Sequence, residues 1–406
     1  MHTGIIGAGA SGIMAAISAA RSGAKVTLYE HSDSIGKKLL ITGNGKCNFS
    51  NISMDASRFH SGTDSTGRIG RILKRFGTKE CTDFFESIGV MYRERKGGIY
   101  PYTDTAESVR SALKLEIYRL GVETICNCGR LSIKTGRAEG SGEKSECSGC
   151  LHEINGRRYD RIIIACGSKI APRTGSDGSG YELLKGLGVK HTDIYPALTP
   201  LTVEDDLSVL KGVRCDAYLT LIDASGHAVE SSAGELQPYE HGLSGICAMD
   251  ISGNACRLLG KGERCYIETD FLPRFTDDEV KKIIEDRLKS FPERNLAELL
   301  TGIFPKKLIG YLVHPIDTRR EGFLNELVNA IKHHRYELSK EMVSDFSRAQ
   351  TVAGGVPVDI IDDDCMLSGR DGIYVTGELL DADGVCGGYN LHFAWATGFI
   401  AGRQDL

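Results

Sequence analysis

The first thirty residues alternate short apolar runs with a segment of helical periodicity. Residues 3–8 (TGIIGA) and 24–30 (AKVTLYE) are typical of buried strands, and residues 11–22 (SGIMAAISAARS) place small and apolar residues at helical spacing. A strand, a helix and a second strand in this order form a β-α-β unit with parallel strands and a right-handed crossover. The pattern therefore predicts the opening unit of an α/β sheet.

The following segments are more polar. Residues 31–60 are rich in Gly, Lys, Asn and Ser and predict a long functional loop. Residues 66–89 and 104–120 carry apolar residues three and four positions apart, which predicts helices. Residues 121–164 read as a strand, a polar hairpin and a strand. We expect the Gly- and Ser-rich stretch 137–149 to be its exposed tip.

The pattern changes again after a buried strand predicted at 160–166 (DRIIIAC). Residues 195–270 alternate apolar and polar positions between Gly and Pro breaks, which predicts an antiparallel β domain. Residues 276–345 are charged and periodic, which predicts helices. A strand at 372–378 (GIYVTGE) and a small-residue helix at 389–402 then indicate that the chain returns to its first domain.

Composition narrows the class of protein. The chain has 406 residues, so we expect more than one domain. Its net charge is −5 and its pI about 6.2, which argues against nucleic acid as the main partner. No apolar run approaches the ~20 residues that a membrane-spanning helix needs. We therefore expect a small-molecule substrate, with no nucleic acid and no membrane as partner. The sequence leaves the oligomeric state open.

The cysteines and the first residues indicate a compartment. The chain contains 13 cysteines, an odd number, and it opens with Met1-His2-Thr3 directly before an apolar strand. A charged leader with a cleavage site is not seen. We therefore expect a cytoplasmic protein whose thiols are mostly reduced.

The strongest local motif is the run Gly7–Gly12 (GAGASG), between the first strand and the first helix. In a dinucleotide fold, the first glycine permits a tight turn and the second lets the backbone approach a pyrophosphate. The third allows close packing of helix and strand. Glu30 ends the next strand, 18 positions after Gly12, where its carboxylate can accept hydrogen bonds from ribose hydroxyls. These features predict a site for the ADP part of a dinucleotide, with NADP disfavoured.

Longer motifs point to a flavin. Residues 36–51 (GKKLLITGNGKCNFSN) and 377–402 (GELLDADGVCGGYNLHFAWATGFIAG) resemble those of the YhiN-like and BaiN-like flavoproteins, a family that includes aminoacetone oxidase and a bile-acid reductase. Further matching segments are 97–109, 175–182, 195–201 and 242–246, so that the resemblance covers nearly the whole chain.

The resemblance implies a fold and a domain arrangement. It implies an α/β protein with a Rossmann-like FAD-binding domain of the two-dinucleotide-binding type, into which an antiparallel β-barrel and a helical segment are inserted. The FAD domain would comprise residues 1–190 and 346–406, the β domain 191–275, and the helical segment 276–345.

The resemblance also implies the residues of an FAD site. The ADP part would be bound by Gly7, Ala8, Gly9, Ala10, Ser11, Gly12 and Glu30. The path from pyrophosphate to flavin would be lined by Lys37, Lys38, Thr42, Gly43, Asn44, Gly45, Cys47 and Asn48. Ala165 and Gly167 would lie on the adenosine side, and Gly377 and Glu378 near the ribityl chain. The isoalloxazine would be met by Gly387, Gly388, Tyr389, Asn390 and Leu391.

A physical argument supports the last group. Reduced flavin carries negative charge near N1 and O2, and a helix N-terminus with free amides stabilises such a charge. Gly387 and Gly388 would let the backbone come close to the ring. The chain also departs from its relatives, which often carry Gly at the position of Ser168.

Several thiols and imidazoles allow competing interpretations. Cys126 and Cys128 together with Cys147 and Cys150 offer four ligands to zinc, but this spacing fits no common zinc module, so we predict ordinary thiols and no metal. Cys47 is expected to be a packed thiol rather than a redox group. His392 is expected to be a satisfied helix histidine, and His333 and His334 to lie on a solvated helix face.

The sequence thus predicts an FAD-dependent oxidoreductase that transfers hydride through flavin N5. The reaction favoured by the resemblance to the bile-acid reductase of the family is reduction of an activated C=C bond. The alternatives are oxidation of a small amine and an FAD-binding protein with a non-redox or RNA-modifying role. No second G-x-G-x-x-G appears for NADH or NADPH, the possible electron donors. Candidates for proton transfer, none of them assigned, are Tyr100, Tyr239, Glu240 and His241.

Overall fold

The computed structural model describes residues 1–136 and 152–403. They form two compact units, Met1–Ile194 with Thr351–Leu406, and Tyr195–Gln350. The hairpin tip predicted at 137–149 lies outside the described residues. A search of the described helices finds none with the length and apolarity to cross a membrane.

The regular elements follow the chain in this order. The helices are α1 (Ala10–Arg21), α2 (Arg68–Arg75), α3 (Thr78–Ser87), α4 (Ala106–Arg119), α5 (Ser179–Gly186), α6 (Ile246–Gly260), α7 (Asp277–Ser290), α8 (Leu296–Leu299), α9 (Lys306–Val313), α10 (Phe323–Lys332) and α11 (Tyr389–Gly402). The strands are β1 (His2–Ile6), β2 (Lys25–Tyr29), β3 (Ser50–Asn51), β4 (Phe59–His60), β5 (Tyr92–Arg95), β6 (Gly98–Pro101), β7 (Glu123–Ile125), β8 (Ile133–Thr135), β9 (His152–Ile154), β10 (Arg157–Tyr159), β11 (Arg161–Ile164), β12 (Tyr195–Ala197), β13 (Leu201–Thr202), β14 (Cys215–Asp223), β15 (Ala228–Tyr239), β16 (Gly242–Ser244), β17 (Cys265–Asp270), β18 (His334–Glu337), β19 (Thr351–Ala353), β20 (Ile373–Val375) and β21 (Asp383–Gly384).

A five-stranded sheet organises the first unit. Its order is β20-β11-β1-β2-β7, and each neighbouring pair is parallel. Strands buried on both faces read as continuous apolar runs, and Ile162, Ile163 and Ile164 of β11 are fully buried. The predicted α/β class with a Rossmann-like sheet is confirmed. The carboxyl ends of these strands share one edge, where ligands bind in open α/β sheets.

Two helices of the first unit pack unusually closely. A β-carbon on Gly398 of α11 would lie 2.2 Å from the backbone oxygen of Ser11 in α1, and one on Gly402 would lie 2.5 Å from that of Ala15. Glycines four residues apart lie on one face of a helix and let two backbones approach. Arg161 fastens the same region, because its guanidinium donates to Thr3 Oγ1 at 2.9 Å and to the Gly402 carbonyl at 2.6 Å.

A small antiparallel sheet, β3-β6-β5, stands beside this core. Its register pairs Arg93 with Tyr100 and Arg95 with Gly98. Because directly opposed residues point to the same face of a sheet, these four residues share one face. The other face carries Ile99, which is buried.

The second unit contains a six-stranded antiparallel sheet in the order β13-β16-β15-β14-β17-β18. Its two outer strands are joined by hydrogen bonds from Glu204 N to Glu337 O (3.0 Å) and from Ser339 N to Thr202 O (2.9 Å), so that the sheet closes on itself. Helices α7 to α10 supply the predicted helical segment. A capping box starts α7, in which Thr276 N donates to the Glu279 side chain at 2.8 Å.

Several predictions of local structure were wrong. Residues 195–270 are not purely β, because α6 packs small residues such as Ala248 and Ala255 in the core. Alternation elsewhere in the segment masked its helical period. The segment 276–345 is not wholly helical, because β18 lies within it, so that His334 is on no helix. Its Nε2 lies 3.2 Å from Tyr311 Oη, and the residue is half-buried. Residues 31–60 are not all loop, because a 3-10 helix spans Lys37–Gly45.

Candidate flavin site

The three motif glycines meet different surroundings. Gly7 has φ +98°, and a β-carbon there would lie 2.6 Å from the Ala165 carbonyl oxygen. A β-carbon on Gly12 would lie 1.8 Å from the Gly7 carbonyl oxygen. One on Gly9 would find no protein atom within 4 Å. The fold itself therefore requires Gly7 and Gly12, whereas Gly9 leaves a space open beside the start of α1.

The start of α1 has the character of an anion site. Gly9 precedes the helix without a side-chain cap, and the first turn contains no acidic residue. Uncapped amides at a helix N-terminus present hydrogen-bond donors and partial positive charge to a phosphate. Ser11 faces inward, since a β-carbon on Gly377 would lie 2.6 Å from its hydroxyl oxygen.

Glu30 directly follows β2 and is nearly buried. Its Oε2 accepts from Ala8 N at 3.0 Å, and its Oε1 accepts from Ser32 N at 2.8 Å. His31 Nδ1 lies 3.4 Å from Oε1. The carboxylate is thus held beside the glycine turn with acceptor positions left for hydroxyl donors.

The adenosine-side residues follow β11. Ala165 N donates to Ile6 O at 2.8 Å, which continues the sheet to the glycine turn. Gly167 has φ +71°, and a β-carbon there would lie 3.0 Å from Ser176 Oγ. Both residues therefore lie at the same edge of the sheet as Gly7.

The loop after Gly36 wraps this edge. Its 3-10 helix is interrupted at Thr42, Gly43 and Asn44, the last two with φ +55°. A β-carbon on Gly43 would lie 2.7 Å from Asn48 N, so the sharp turn needs glycine there. Gly45 and Asn44 are exposed.

Cys47 and Lys37 do not have the environment of reactive groups. Cys47 is fully buried, and burial raises the pKa of its thiol to about 12, while a hydrogen bond with Thr42 lowers it in part. It is therefore a protonated, packed thiol at neutral pH. Lys37 pairs with Asp33 at 2.5 Å.

Lys38 and Glu378, 340 residues apart in sequence, form an ion pair of 2.5 Å. Ser168 Oγ also donates to Glu378 Oε2 at 2.9 Å, and Thr351 Oγ1 donates to Oε1 at 2.8 Å. Burial alone would raise the pKa of Glu378. The charge and hydrogen bonds of these partners outweigh it and lower that pKa below its ordinary value. The network joins the 36–48 loop to the segment after β20.

Replacing Lys38 by methionine should destabilise the protein by about 2 kcal/mol at pH 7, because the largely buried carboxylate of Glu378 would lose its cation. The loss is no larger because part of this carboxylate is exposed to solvent. The folded-state pKa of Glu378 is lowered, so the network stabilises the fold fully above pH 4.5 and less as the pH falls through that pKa. Without Lys38 the burial that remains raises the pKa of Glu378, so the carboxyl group of the variant takes up a proton at a higher pH than in the wild type, and the deficit of the variant should shrink toward pH 4.5.

Denaturant unfolding at pH 7 and at pH 4.5 measures both quantities. The matched control is Lys79→Met, which breaks an exposed pair with Asp83 and should change nothing measurable. An equal deficit at both pH values would contradict the proposed charge pairing.

The second helix start lies at Gly387 and Gly388. They have φ +130° and φ +94°, and Gly387 O accepts from Asn51 Nδ2 at 2.9 Å. A β-carbon on Gly388 would lie 2.5 Å from Ser50 O. Helix α11 then begins at Tyr389 without a side-chain cap and without an acidic residue in its first turn. Its first amides are thus free to meet negative charge.

The next residues secure this turn. Asn390 uses its whole carboxamide on Gly384, donating to its oxygen at 2.7 Å and accepting from its nitrogen at 2.9 Å. Tyr389 is buried, and Leu391 is half-buried. These side chains hold the backbone in place, so that the backbone amides at the start of α11 are left to contact a flavin ring.

His392 is a buried structural histidine of α11. Its Nε2 lies 3.0 Å from the Phe76 carbonyl and must donate to it, so Nδ1 accepts from Ser50 Oγ at 2.8 Å. Burial lowers the pKa of His392 to about 4, so the imidazole is neutral at physiological pH. The expectation of a satisfied histidine agrees with this geometry.

The depressed pKa makes stability depend on pH. The unfolded chain takes up a proton on His392 below about pH 6.5, and the folded chain does so only near pH 4, so folding stability should fall as the pH drops through this window. The loss should reach about 2 kcal/mol at pH 5. Denaturant unfolding of the wild type and of His392→Gln, which cannot titrate, measures the difference in pH slope.

His227→Gln is the control, because it replaces an exposed histidine of the second unit by the same side chain. Identical slopes in the wild type and in His392→Gln would show that His392 titrates normally in the folded chain.

The four candidates for proton transfer are distributed over both units. Tyr100 lies on β6 in the first unit, and burial raises its pKa. In the second unit, Tyr239 ends β15, and Glu240 and His241 form the turn to β16. The Arg348 guanidinium stacks 4.2 Å from the Tyr239 ring, and Glu240 and His241 are exposed.

The sequence analysis missed the residues that support the site. Ser168, Thr351 and Ser50 act on Glu378 or His392 through contacts distant in sequence. Only the Gly-to-Ser difference at 168 hinted at one of them. The zinc hypothesis involves Cys147 and Cys150, which lie outside the described residues. Within residues 1–136 and 152–403, no group of three or more Cys, His, Asp or Glu could hold a metal.

The arrangement fits FAD. The space at Gly9 and the uncapped α1 suit a pyrophosphate, and the uncapped α11 suits the ring. Asn48 Oδ1, which contacts the α11 turn, is buried and has no hydrogen-bond partner among the described residues. Such an atom is expected where a ligand supplies the donor.

Comparisons with known proteins agree. A family model described as "HI0933-like protein Rossmann domain" matches residues 1–404. The 3-dehydro-bile acid Δ(4,6)-reductase of Clostridium scindens is 40% identical over 98% of each chain. A ribosomal RNA dihydrouridine synthase of Haemophilus influenzae is 25% identical over 97% of this chain and 96% of its own.

A solved structure resembles the chain more distantly. The 3-ketosteroid-Δ4-(5α)-dehydrogenase of Rhodococcus jostii RHA1, in complex with 4-androstene-3,17-dione, is 15% identical with a TM-score of 0.48, covering 98% of this chain and 95% of that one.

The fold and site define a flavoprotein oxidoreductase that uses FAD and is built on a Rossmann domain. The chain belongs to the HI0933-like family, which confirms the resemblance to YhiN-like and BaiN-like flavoproteins.

Proposed function

We propose that the protein reduces a C=C bond conjugated to a carbonyl group, with 3-oxo-Δ4 and 3-oxo-Δ4,6 steroids of the bile-acid type as substrates. The observation that carries the proposal is the 40% identity, over 98% of both chains, to a reductase named for this substrate class. When bound, FAD supplies hydride transfer through N5.

The residues proposed to hold FAD are those at the two helix starts. The amides at the start of α1 would bind the pyrophosphate, and Glu30 would bind the adenosine ribose. The amides at the start of α11 would stabilise negative charge on the pyrimidine edge of the ring. Glu378 would act mainly through Lys38, by holding the 36–48 loop.

Tyr100 is the proposed proton donor. A β-carbon on Gly98 would lie 3.0 Å from the Tyr100 ring and 2.8 Å from Asn48 Nδ2, so the ring and the carboxamide of Asn48 are neighbours. The raised pKa keeps the phenol protonated at neutral pH. Its proton would go to the α-carbon of the substrate, and water would return a proton to the phenolate.

Arg93 and Arg95 are proposed to orient an anionic substrate. They share a sheet face with Tyr100, and both bind Asp104, Arg95 at 2.7 Å. Two guanidinium groups against one carboxylate leave one positive charge in excess. A bile-acid carboxylate is complementary to that charge.

A second substrate class has a specific observation in its favour. Relatives named as ribosomal RNA dihydrouridine synthases are 25% and 23% identical. Dihydrouridine is uridine with its C5=C6 bond saturated, and that bond is also conjugated to a carbonyl group. The net charge of −5 favours the small-molecule substrate.

The test uses the purified holoenzyme without oxygen. The enzyme is first reduced with NADH, NADPH or dithionite, which also identifies the proposed nicotinamide donor. It is then mixed with a 3-oxo-Δ4,6 bile acid, with the saturated 3-oxo bile acid as the control, or with ribosomal RNA that contains no dihydrouridine. Flavin absorbance and product mass are followed.

We expect rapid flavin oxidation with the unsaturated bile acid, a product heavier by two hydrogens, and no oxidation with the saturated control. A mass gain in the RNA, with none in the bile acid, would assign ribosomal RNA as the substrate in place of the bile acid. If air rapidly reoxidises the reduced flavin, aminoacetone reduces the oxidised flavin and enones do not react, the proposed reductase activity would be replaced by that of an amine oxidase. A protein that does not bind FAD would end the proposal.

A further inference from the structure

Asn48 places an unused acceptor beside the turn that opens α11. Its Oδ1 is buried and has no partner among the described residues. A β-carbon on Gly98 would lie 2.9 Å from Oδ1, and one on Gly388 would lie 2.8 Å from it. Two glycines from different elements therefore make room for this one carboxamide.

The neighbouring asparagine shows the contrast. Asn51 donates to Gly387 O at 2.9 Å and accepts from Ser53 N at 2.9 Å, so both ends of its carboxamide are used by the backbone. A buried acceptor without a donor costs free energy, and such atoms are rare in folded proteins. Asn48 is thus the side chain at this turn that awaits an external donor.

The oxidised isoalloxazine ring has a single N–H group, at N3, next to the C2 carbonyl. The α11 turn offers backbone donors, and Asn48 offers an acceptor in contact with Gly388, one of its residues. This pair is complementary to the C2=O and N3–H edge of the ring. We propose that Asn48 Oδ1 accepts the hydrogen bond from flavin N3–H, an inference that rests on the proposed FAD site.

This role differs from contact with N5. The N3–H group is present in both oxidation states of the flavin, whereas N5 carries a hydrogen only after reduction. Asn48 therefore strengthens the binding of oxidised and reduced FAD alike, and its removal leaves the midpoint potential nearly unchanged.

The experiment titrates apoprotein with FAD and with 3-methyl-FAD, whose N3 carries no hydrogen. The variants are Asn48→Leu, which keeps the shape but removes the acceptor, and Asn48→Asp, which keeps an acceptor oxygen. Asn254→Leu, an asparagine of the second unit, is the matched control. Thermal melting of each apoprotein reports folding independently of activity.

We expect the wild type to bind FAD at least about tenfold more tightly than 3-methyl-FAD. Asn48→Leu should bind FAD about tenfold more weakly, with little preference between the two flavins, and its apoprotein should melt no earlier than the wild type. Asn48→Asp should keep the preference, and Asn254→Leu should bind both flavins as the wild type does.

Other outcomes overturn the assignment. These are a wild type that binds both flavins equally, an Asn48→Leu chain that keeps its preference for FAD, or a midpoint potential that falls sharply in that variant. If Asn48→Leu does not fold, the preference of the wild type and of Asn48→Asp for FAD over 3-methyl-FAD decides whether the assignment holds. A wild-type chain that binds neither flavin refutes the FAD site itself, an outcome distinct from the failure of Asn48 alone.

Discussion

Replacing Gly9 by alanine should leave the apoprotein as stable as the wild type but weaken FAD binding by about 100-fold or more. The new methyl group would meet no protein atom within 4 Å, and the backbone there is extended, with φ −82°. It would instead enter the space that a pyrophosphate must approach closely. Thermal melting of the apoprotein and a flavin fluorescence titration measure the two effects.

Gly12→Ala is the matched control, since its β-carbon would lie 1.8 Å from the Gly7 carbonyl oxygen. Here the clash is with the protein backbone, so the apoprotein itself should lose about 3 kcal/mol. If Gly9→Ala also destabilised the apoprotein and bound FAD normally, the space beside α1 would not be the phosphate site.

Tyr100→Phe should slow the reduction of an enone by about 100-fold or more, because positioned proton donors contribute factors of that size. The ring and its contact at Gly98 would remain, so FAD binding and flavin reduction by dithionite should not change. Anaerobic mixing of the reduced enzyme with a 3-oxo-Δ4,6 bile acid measures the enone-dependent step separately from both.

Tyr102→Phe provides the comparison. Tyr102 is two residues away and 59% exposed, and its ring stacks on Arg93 at 5.4 Å. Its variant should reduce the enone at the wild-type rate. Equal rates for Tyr100→Phe and the wild type would assign proton delivery to another group, and loss of FAD from Tyr100→Phe would make Tyr100 a binding residue.

The predictions that succeeded rest on local physics. The β-α-β unit and its glycines could be predicted because a turn at φ +98° and a helix packed on a carbonyl both require glycine within a few residues. The start of α11 is similar, since Gly387 and Gly388 precede a small-residue helix. Periodicity and turn chemistry suffice for such elements.

The side-chain contacts that support the site could not be predicted from periodicity and turn chemistry. Glu378 is held by Lys38, and His392 by Ser50 and Phe76, each pair more than 300 residues apart. Such contacts exist only once the fold is formed. Likewise, α6 and the strand after α10 were misassigned because their packing overrides the local pattern.

The close seam between α1 and α11, fastened through Arg161, has a consequence for biosynthesis. During translation the first strand and helix leave the ribosome long before residues 389–402 exist, and for that time the surface formed by Ser11, Ala15 and Ser18 has no helix to cover it. The intervening 195–350 unit has a core of its own and can fold while the first waits. Nascent chains should therefore depend on chaperones, and flavin should enter only after synthesis is nearly complete.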